Sequence, residues 1–315
     1  MGQLSFSSLS RKERPKSRVH RFLSEMDEAI MWKKIVKVIK PYYYTGKMGR
    51  KPLPLELMLR IYFLQLGYSL GDPSVEEAIY DRTSFQKFLK IELLHDIIPD
   101  ETTILNFRHL LEEHRLNEKI LRKVNHLLEK KGFLLKEGTI VDATLIAAPS
   151  STKNKEGRRD PEMSSTKKND QWFFGMKMHI GVDAKSGLIH SCVGTTAKVS
   201  DRDPFPELLH EEEQAVFGDK GYVSDNDKHL AREAGIFWGI LDKRKPGKKL
   251  SQKQKKRNLR LSSIRSKVEH PFQVIKHLWG YRKTRYRGMR KNQSQFFILA
   301  ALHNVYRVRK SLAYT

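Results

Sequence analysis

The spacing of apolar residues changes at about Gly138, and that change limits what the chain can fold into. From about residue 20 to 132 they recur at intervals of three and four, as in Phe22, Met26 and Ile30 and again in Leu55, Met58, Leu59, Tyr62, Phe63 and Leu66. That is the period of helices with one buried face. From Gly138 the pattern becomes β-branched and continuous in GTIVDATLIA, and strand-like runs follow in FFGMKMHIGVD and LIHSCVGTTAKV. After these three strands, residues 203–213 are expected to form a helix, QAVFGDKGY a strand, 225–234 a helix and GIFWGIL a strand. Helix should return at 262–277 and 292–310. Strands that come first and then alternate with helices give an α/β domain on one mixed sheet, here behind an all-α N-terminal domain. The expected boundaries are 1–132 and 133–315, with polar loops at 149–171 and 243–260.

Charge narrows the partners. Sixty Lys and Arg against 36 Asp and Glu leave a net +24, which favours a polyanion such as nucleic acid. The longest apolar run, Phe296 to Leu302, is far shorter than the ~20 residues a membrane span needs. The N-terminal stretch with Arg11, Lys12, Arg14, Lys16 and Arg18 has no apolar core of a secretory signal, so a cytoplasmic location is expected. Cys192 is the single cysteine, which leaves carboxylates and histidines to hold any metal. His179, His190, His270 and His303 are scattered, and none shows a ligand spacing.

From Lys243 to Thr315 there are 22 Lys or Arg and one acidic residue, Glu269. An isolated carboxylate near bound phosphate is unfavourable unless a cation lies between them; otherwise it serves as a local ion-pair partner. Asp142 interrupts the apolar run Ile140-Val141-Asp142-Ala143, and a carboxylate entering a sheet must be paired, hydrogen-bonded or metal-bound. Asp219 ends the strand Ala215-Val216-Phe217-Gly218, where ligands of α/β sheets bind, and Gly221 permits close backbone approach. Singly, each Asp reads equally well as a turn acceptor; together the three carboxylates suit a hard divalent ion. In the helical half, residues 74–89 and 102–114 suit either a helix-turn-helix reader or an ordinary bundle. A reader would present Thr102, Thr103, Asn106 and Arg108. Lys167, Lys168 and Lys177 could follow a DNA backbone, whereas Trp238 and Trp279 suit a core better than a stacking platform.

The segments VDATLIAAPSSTKNK, RDPEMSSTKKNDQWFFGMKMHIGVDAKSGLIHS, FGDKGY and VEHPFQVIKHLWGYRKTRYRGMRKN, with PLELMLRIYFLQ and PDETTILNFRHLLEEH before them, resemble the DDE insertion-sequence transposases, in the group of insertion sequence five. The likeness runs from about residue 15 to 310. It implies an RNase H-like catalytic core whose metal-binding triad is Asp142, Asp219 and Glu269. It also implies an Arg separated from the Glu by three residues and a Lys separated from it by six, which Arg265 and Lys276 satisfy. On one continuous helix these would share a face and meet flanking phosphates. The related pattern has a Tyr three positions before the Arg, where this chain has Ser262, so that tyrosine's contact has no counterpart.

The resemblance implies cleavage at the ends of a mobile element and attack of the freed 3′-hydroxyl on target DNA. Mg2+ is the expected ion and Mn2+ its substitute. The partners would be double-stranded DNA at terminal inverted repeats, target DNA and a second copy of the chain. Lys248, Lys249, Lys255, Lys256 and Arg257 in a flexible basic loop are expected to contact phosphate, as is Lys177. A catalytically inactive DNA-binding regulator and a nuclease that only cuts are the alternative readings.

Overall fold

The computed structural model describes residues 17–44, 52–168 and 170–312; the basic residues from Arg11 to Lys16 lie outside them. The first half is helical: α1 (Arg18–Ala29), α2 (Trp32–Ile39), α3 (Leu55–Gly67), α4 (Asp72–Asp81), α5 (Thr83–Leu89), α6 (Glu101–Glu113) and α7 (Leu116–Lys130). Ser17 caps α1 through a bond from the His20 amide, and Asp100 caps α6 through one from the Thr103 amide, as short polar acceptors do at orphan helix donors. Eleven residues separate the end of α5 from the start of α6, too many for the short turn of a helix-turn-helix.

Six strands then form one mixed sheet: β1 (Gly138–Ala147), β2 (Ser164–Lys168), β3 (Gln171–Asp183), β4 (Ile189–Thr196), β5 (Ala215–Gly218) and β6 (Phe237–Ile240). The order is β2-β3-β1-β5-β6, with β4 also paired to β3. β3 is antiparallel to β1, β2 and β4, while β5 is parallel to both β1 and β6. With α8 (Asp225–Glu233), α9 (Gln252–Arg265), α10 (Glu269–Gln273) and α11 (Met289–Leu312) flanking it, this is the RNase H-like mixed sheet that the sequence implied.

The helical half and the sheet share one buried apolar cluster from Leu23 to Val308. α11 runs through its centre, apolar on nearly every side, and packs on α7, β4 and α1. Its Asn304 donates to Asn125 Oδ1 at 2.8 Å and to the Ile189 carbonyl at 2.7 Å, and accepts from the Ile189 amide at 2.8 Å. These bonds satisfy an otherwise costly buried amide and fix helix against strand.

Four local expectations are corrected. Residues 203–213 form only a short 3-10 turn at Pro206–Leu208, because the Glu213 carboxylate accepts from the His210 amide at 2.6 Å and from Thr139 Oγ1 at 3.1 Å. The supposed loop 149–171 contains β2, which pairs with the start of β3. The supposed loop 243–260 is helical from Gln252, because Ser251 and Gln254 close a reciprocal capping box at the head of a run of good helix formers. The helix expected at 262–277 is broken by a 3-10 turn at Ser266–Val268 and a π segment at Val274–Leu278.

β6 is an edge strand, and Arg257 of α9 covers it. Its guanidinium donates to the carbonyls of Ile240 at 2.9 Å and Trp238 at 2.7 Å and pairs with Asp242 at 3.1 Å. Strand alternation turns those two carbonyls the same way, so one planar donor can serve both. Arg257→Ala should lower the urea midpoint by an amount equivalent to roughly 1–3 kcal/mol with an unchanged m value. An unaltered midpoint would show that water replaces the guanidinium at no cost.

Candidate active site

Parallel pairing brings two of the carboxylates together. Ile140 on β1 is in register with Phe217 on β5, so Asp142 and Asp219, each two residues further, leave neighbouring strands at the same level. Asp142 Oδ1 accepts from the Ala143 amide at 2.8 Å, and Oδ2 pairs with Arg265 Nη2 at 3.0 Å. Burial raises the pKa of Asp142; the Arg265 charge opposes this and the neighbouring Asp219 adds to it. Asp219 caps a 3-10 turn at Lys220–Tyr222, with Oδ1 accepting from the Gly221 amide at 2.7 Å. A β-carbon at Gly221 would lie 2.8 Å from that oxygen, which explains the glycine.

Glu269 begins α10, with its side chain 66% exposed and Oε1 3.9 Å from Arg265 Nη1. The chain fold thus brings the region of the third carboxylate to the other two, with Arg265 between them. Among the described residues, no three His, Cys, Asp or Glu side chains converge closely enough to hold an ion. Arg265 is not directed to an external phosphate: it neutralises Asp142 from within the site. The guanidinium occupies the place beside Asp142 where a cation would lie, and an all-oxygen donor set fits a hard divalent ion.

Lys276 is seated on the same strand. Its ammonium donates to Thr144 Oγ1 at 2.9 Å and to the Leu145 carbonyl at 3.0 Å, on the face of β1 that also carries Asp142. Burial, then the nearby charges of Lys168 and Arg282, lower its pKa. Arg282 is anchored by donating to the Lys276 carbonyl at 3.1 Å. Lys168, Lys276 and Arg282 thus make a cationic border on the β3 side of the carboxylates.

Other residues expected to touch DNA prove to be structural. Arg108 is 3% exposed; it pairs with Asp72 at 2.9 Å and Glu112 at 3.1 Å and lies 4.0 Å from the centre of the Tyr286 ring. It cannot reach a base edge without abandoning the buried Glu112 and the partly buried Asp72. Lys177 donates to the Val199 carbonyl at 2.6 Å and pairs with Asp201 at 2.8 Å, so it fixes a loop. Arg257 is committed to the sheet edge. Asn106, Lys248, Lys249, Lys255 and Lys256 remain exposed, as does Thr102. Burial lowers the pKa of His179 to about 4, and those of His190 and His303 to about 3, as expected of neutral core histidines. His270 packs Nδ1 at 3.4 Å from His303 Nε2, a contact between helices.

Two residues escaped the reading of the sequence. Tyr222 is 2% exposed, and its hydroxyl has no hydrogen-bond partner. Burial raises its pKa, and the charges of Asp142, Asp201 and Asp219 raise it further, which places the phenol beside the carboxylates. FGDKGY carried that signal, since the tyrosine follows Asp219 by one short turn. Trp172 is 72% exposed on β3, opposite Lys167, whereas Trp279 is 2% exposed. Its position in an apolar strand run had concealed it.

Comparison with known families agrees with this geometry. Residues 134–305 match the family described as Transposase DDE domain, and residues 9–110 match the one described as Transposase domain (DUF772). A solved piggyBac transposase synaptic complex with hairpin DNA superposes with a TM-score of 0.44 at 10% identity, over 96% of this chain and 76% of that one, a likeness too distant to add weight. The matched DDE region spans more than half of the chain and contains all three carboxylates, so the chain belongs to the DDE transposases.

Proposed function

We propose that Asp142, Asp219 and Glu269 are the catalytic triad of an insertion-sequence transposase in the group of insertion sequence five, acting on terminal inverted repeats and target DNA in a bacterial cytoplasm. The reading rests chiefly on Asp142 on β1 lying level with Asp219 at the end of the adjacent parallel β5, with an arginine already paired to Asp142. The family's chemistry is metal-dependent DNA cleavage and strand transfer. Mg2+, with Mn2+ as a substitute, would be held by the three carboxylates and would act as Lewis acid toward the phosphodiester.

The side chains then divide the work. Asp142 and Asp219 provide preformed oxygen ligands, and Glu269, exposed at the start of a helix, completes the set when Arg265 turns away. Arg265 thereby becomes available to phosphate, and Lys276 holds the neighbouring backbone from its seat on β1. The helical residues up to 132 would bind element ends, with Asn106 as the exposed base-reading candidate, and two chains would pair two ends. Among the described residues no helix is long and apolar enough to cross a membrane.

A labelled duplex carrying the element end and its flank should be cut at the boundary in Mg2+ or Mn2+. Ca2+, with its longer and looser coordination, should support binding but little cutting. Cleavage surviving excess EDTA would overturn the metal site. Binding without cleavage in either active metal would favour the inactive regulator, and cleavage without joining the simple nuclease.

A further inference from the structure

On the β6 side of the carboxylates lies a groove of about 730 Å³ between α8, β6 and α9. Lys228 and Arg232 enter it from α8, Lys253 and Arg257 from α9, and Phe237 and Trp238 form its floor. Its one acidic lining residue, Asp242, is already neutralised by Arg257 at 3.1 Å. Of the acids carried by α8, Asp227 pairs with Arg202 at 3.1 Å and Glu233 lies 3.4 Å from His229, and neither these nor Asp225 makes an ion pair with Lys228, Arg232 or Lys253. Lys228, Arg232 and Lys253 therefore present uncompensated charge beside an aromatic surface, on which Phe237 is 54% exposed.

We propose that this groove binds target DNA, so that the carboxylates lie between two DNA surfaces. The inference rests on the transposase reading above. A small-molecule site would enclose most of its ligand, whereas here the cations and Phe237 stand open to solvent, as suits a polymer passing through. The sign of the charge and the exposed ring match the phosphates and apolar sugar edges of a duplex. The element end is assigned to the other cationic border. Lys168, Lys276 and Arg282 border the site on the β3 side, while this groove lies across β5 from Asp142, and adjacent strands are only ~5 Å apart. Strand transfer requires two DNAs at one centre, and the two cationic surfaces flank that centre.

The test compares wild type with the triple variant Lys228→Glu, Arg232→Glu, Lys253→Glu, on intact element ends and on precleaved ends supplied with plasmid target. End binding and end cleavage should stay within about twofold of wild type, while joining to the plasmid falls tenfold or more. The salt dependence of target binding should be shallower by roughly 2.7, the loss of three phosphate contacts at about 0.9 each. Independently, a photoreactive amino acid at position 237 should crosslink to plasmid and not to the end duplex, a readout that survives any folding defect of the triple variant. Unchanged joining, a parallel fall of cleavage and joining, or crosslinking to the end duplex would each overturn the proposal. A wild-type chain that neither cuts nor joins would overturn the transposase reading itself.

Discussion

Replacing Asp219 with Ala should reduce cleavage of a labelled element end by at least about a thousandfold, because a metal ligand supplies several kcal/mol of transition-state stabilisation and each 1.4 kcal/mol is roughly tenfold in rate. Asp219 is the cleanest of the three positions to test. Its side-chain hydrogen bond is one local contact to the Gly221 amide, so its loss disturbs little else. Asp142→Ala also strips Arg265 of its 3.0 Å partner and mixes a structural effect into the kinetics. Glu269→Gln removes the charge of an exposed side chain and should cause a similar loss without lowering the melting temperature. The double variant should be scarcely slower than either single one, as expected of groups that act as a unit. End-DNA binding at fixed salt should persist in all three. If Asp219→Ala cuts at near wild-type rate in Mg2+, the triad is wrongly assigned.

The second large effect concerns stability. Arg108→Met should destabilise the fold by roughly 3–5 kcal/mol, the usual cost of removing one partner from a buried ion pair. Asp72 and Glu112 would keep their charges without a counter-ion, and Tyr286 would lose the cation beside its ring. Calorimetry should show a fall in melting temperature on the order of 10 °C, at about 2–4 °C per kcal/mol. Asn106→Ala, which removes only an exposed carboxamide from a helical position, should leave the melting temperature alone while eroding the preference for element ends over random DNA. An Arg108→Met protein that melts normally and loses only sequence discrimination would restore Arg108 as a base reader and refute the clamp.

Much of the architecture could be read directly from the residues. The run of three- and four-residue spacings before residue 132 becomes seven helices among the described residues, and GTIVDATLIA becomes β1 with its Asp on the strand as expected. These features are legible because periodicity records which face is buried, whatever it is buried against. In two of the misread stretches a polar side chain overrode the period. Glu213 turned 203–213 away from helix, and the Ser251 to Gln254 capping box converted part of a basic loop into α9. The latter signal was present in the sequence but lay hidden in a run of lysines.

By itself, then, the sequence determined the order of helices and strands, the positions of three isolated carboxylates and a charge balance suited to DNA. The partner of each cation was decided only by the tertiary structure. Arg108, Lys177, Arg257 and Arg265 look like the exposed lysines of α9 when read as letters, yet each is committed to a carboxylate or carbonyl distant along the chain. Helical and strand periods specify how far a side chain lies from its neighbours in sequence. The partner that neutralises a charge depends on which elements pack together, as when α9 crosses the edge of β6 and carries Arg265 to a strand 123 residues away.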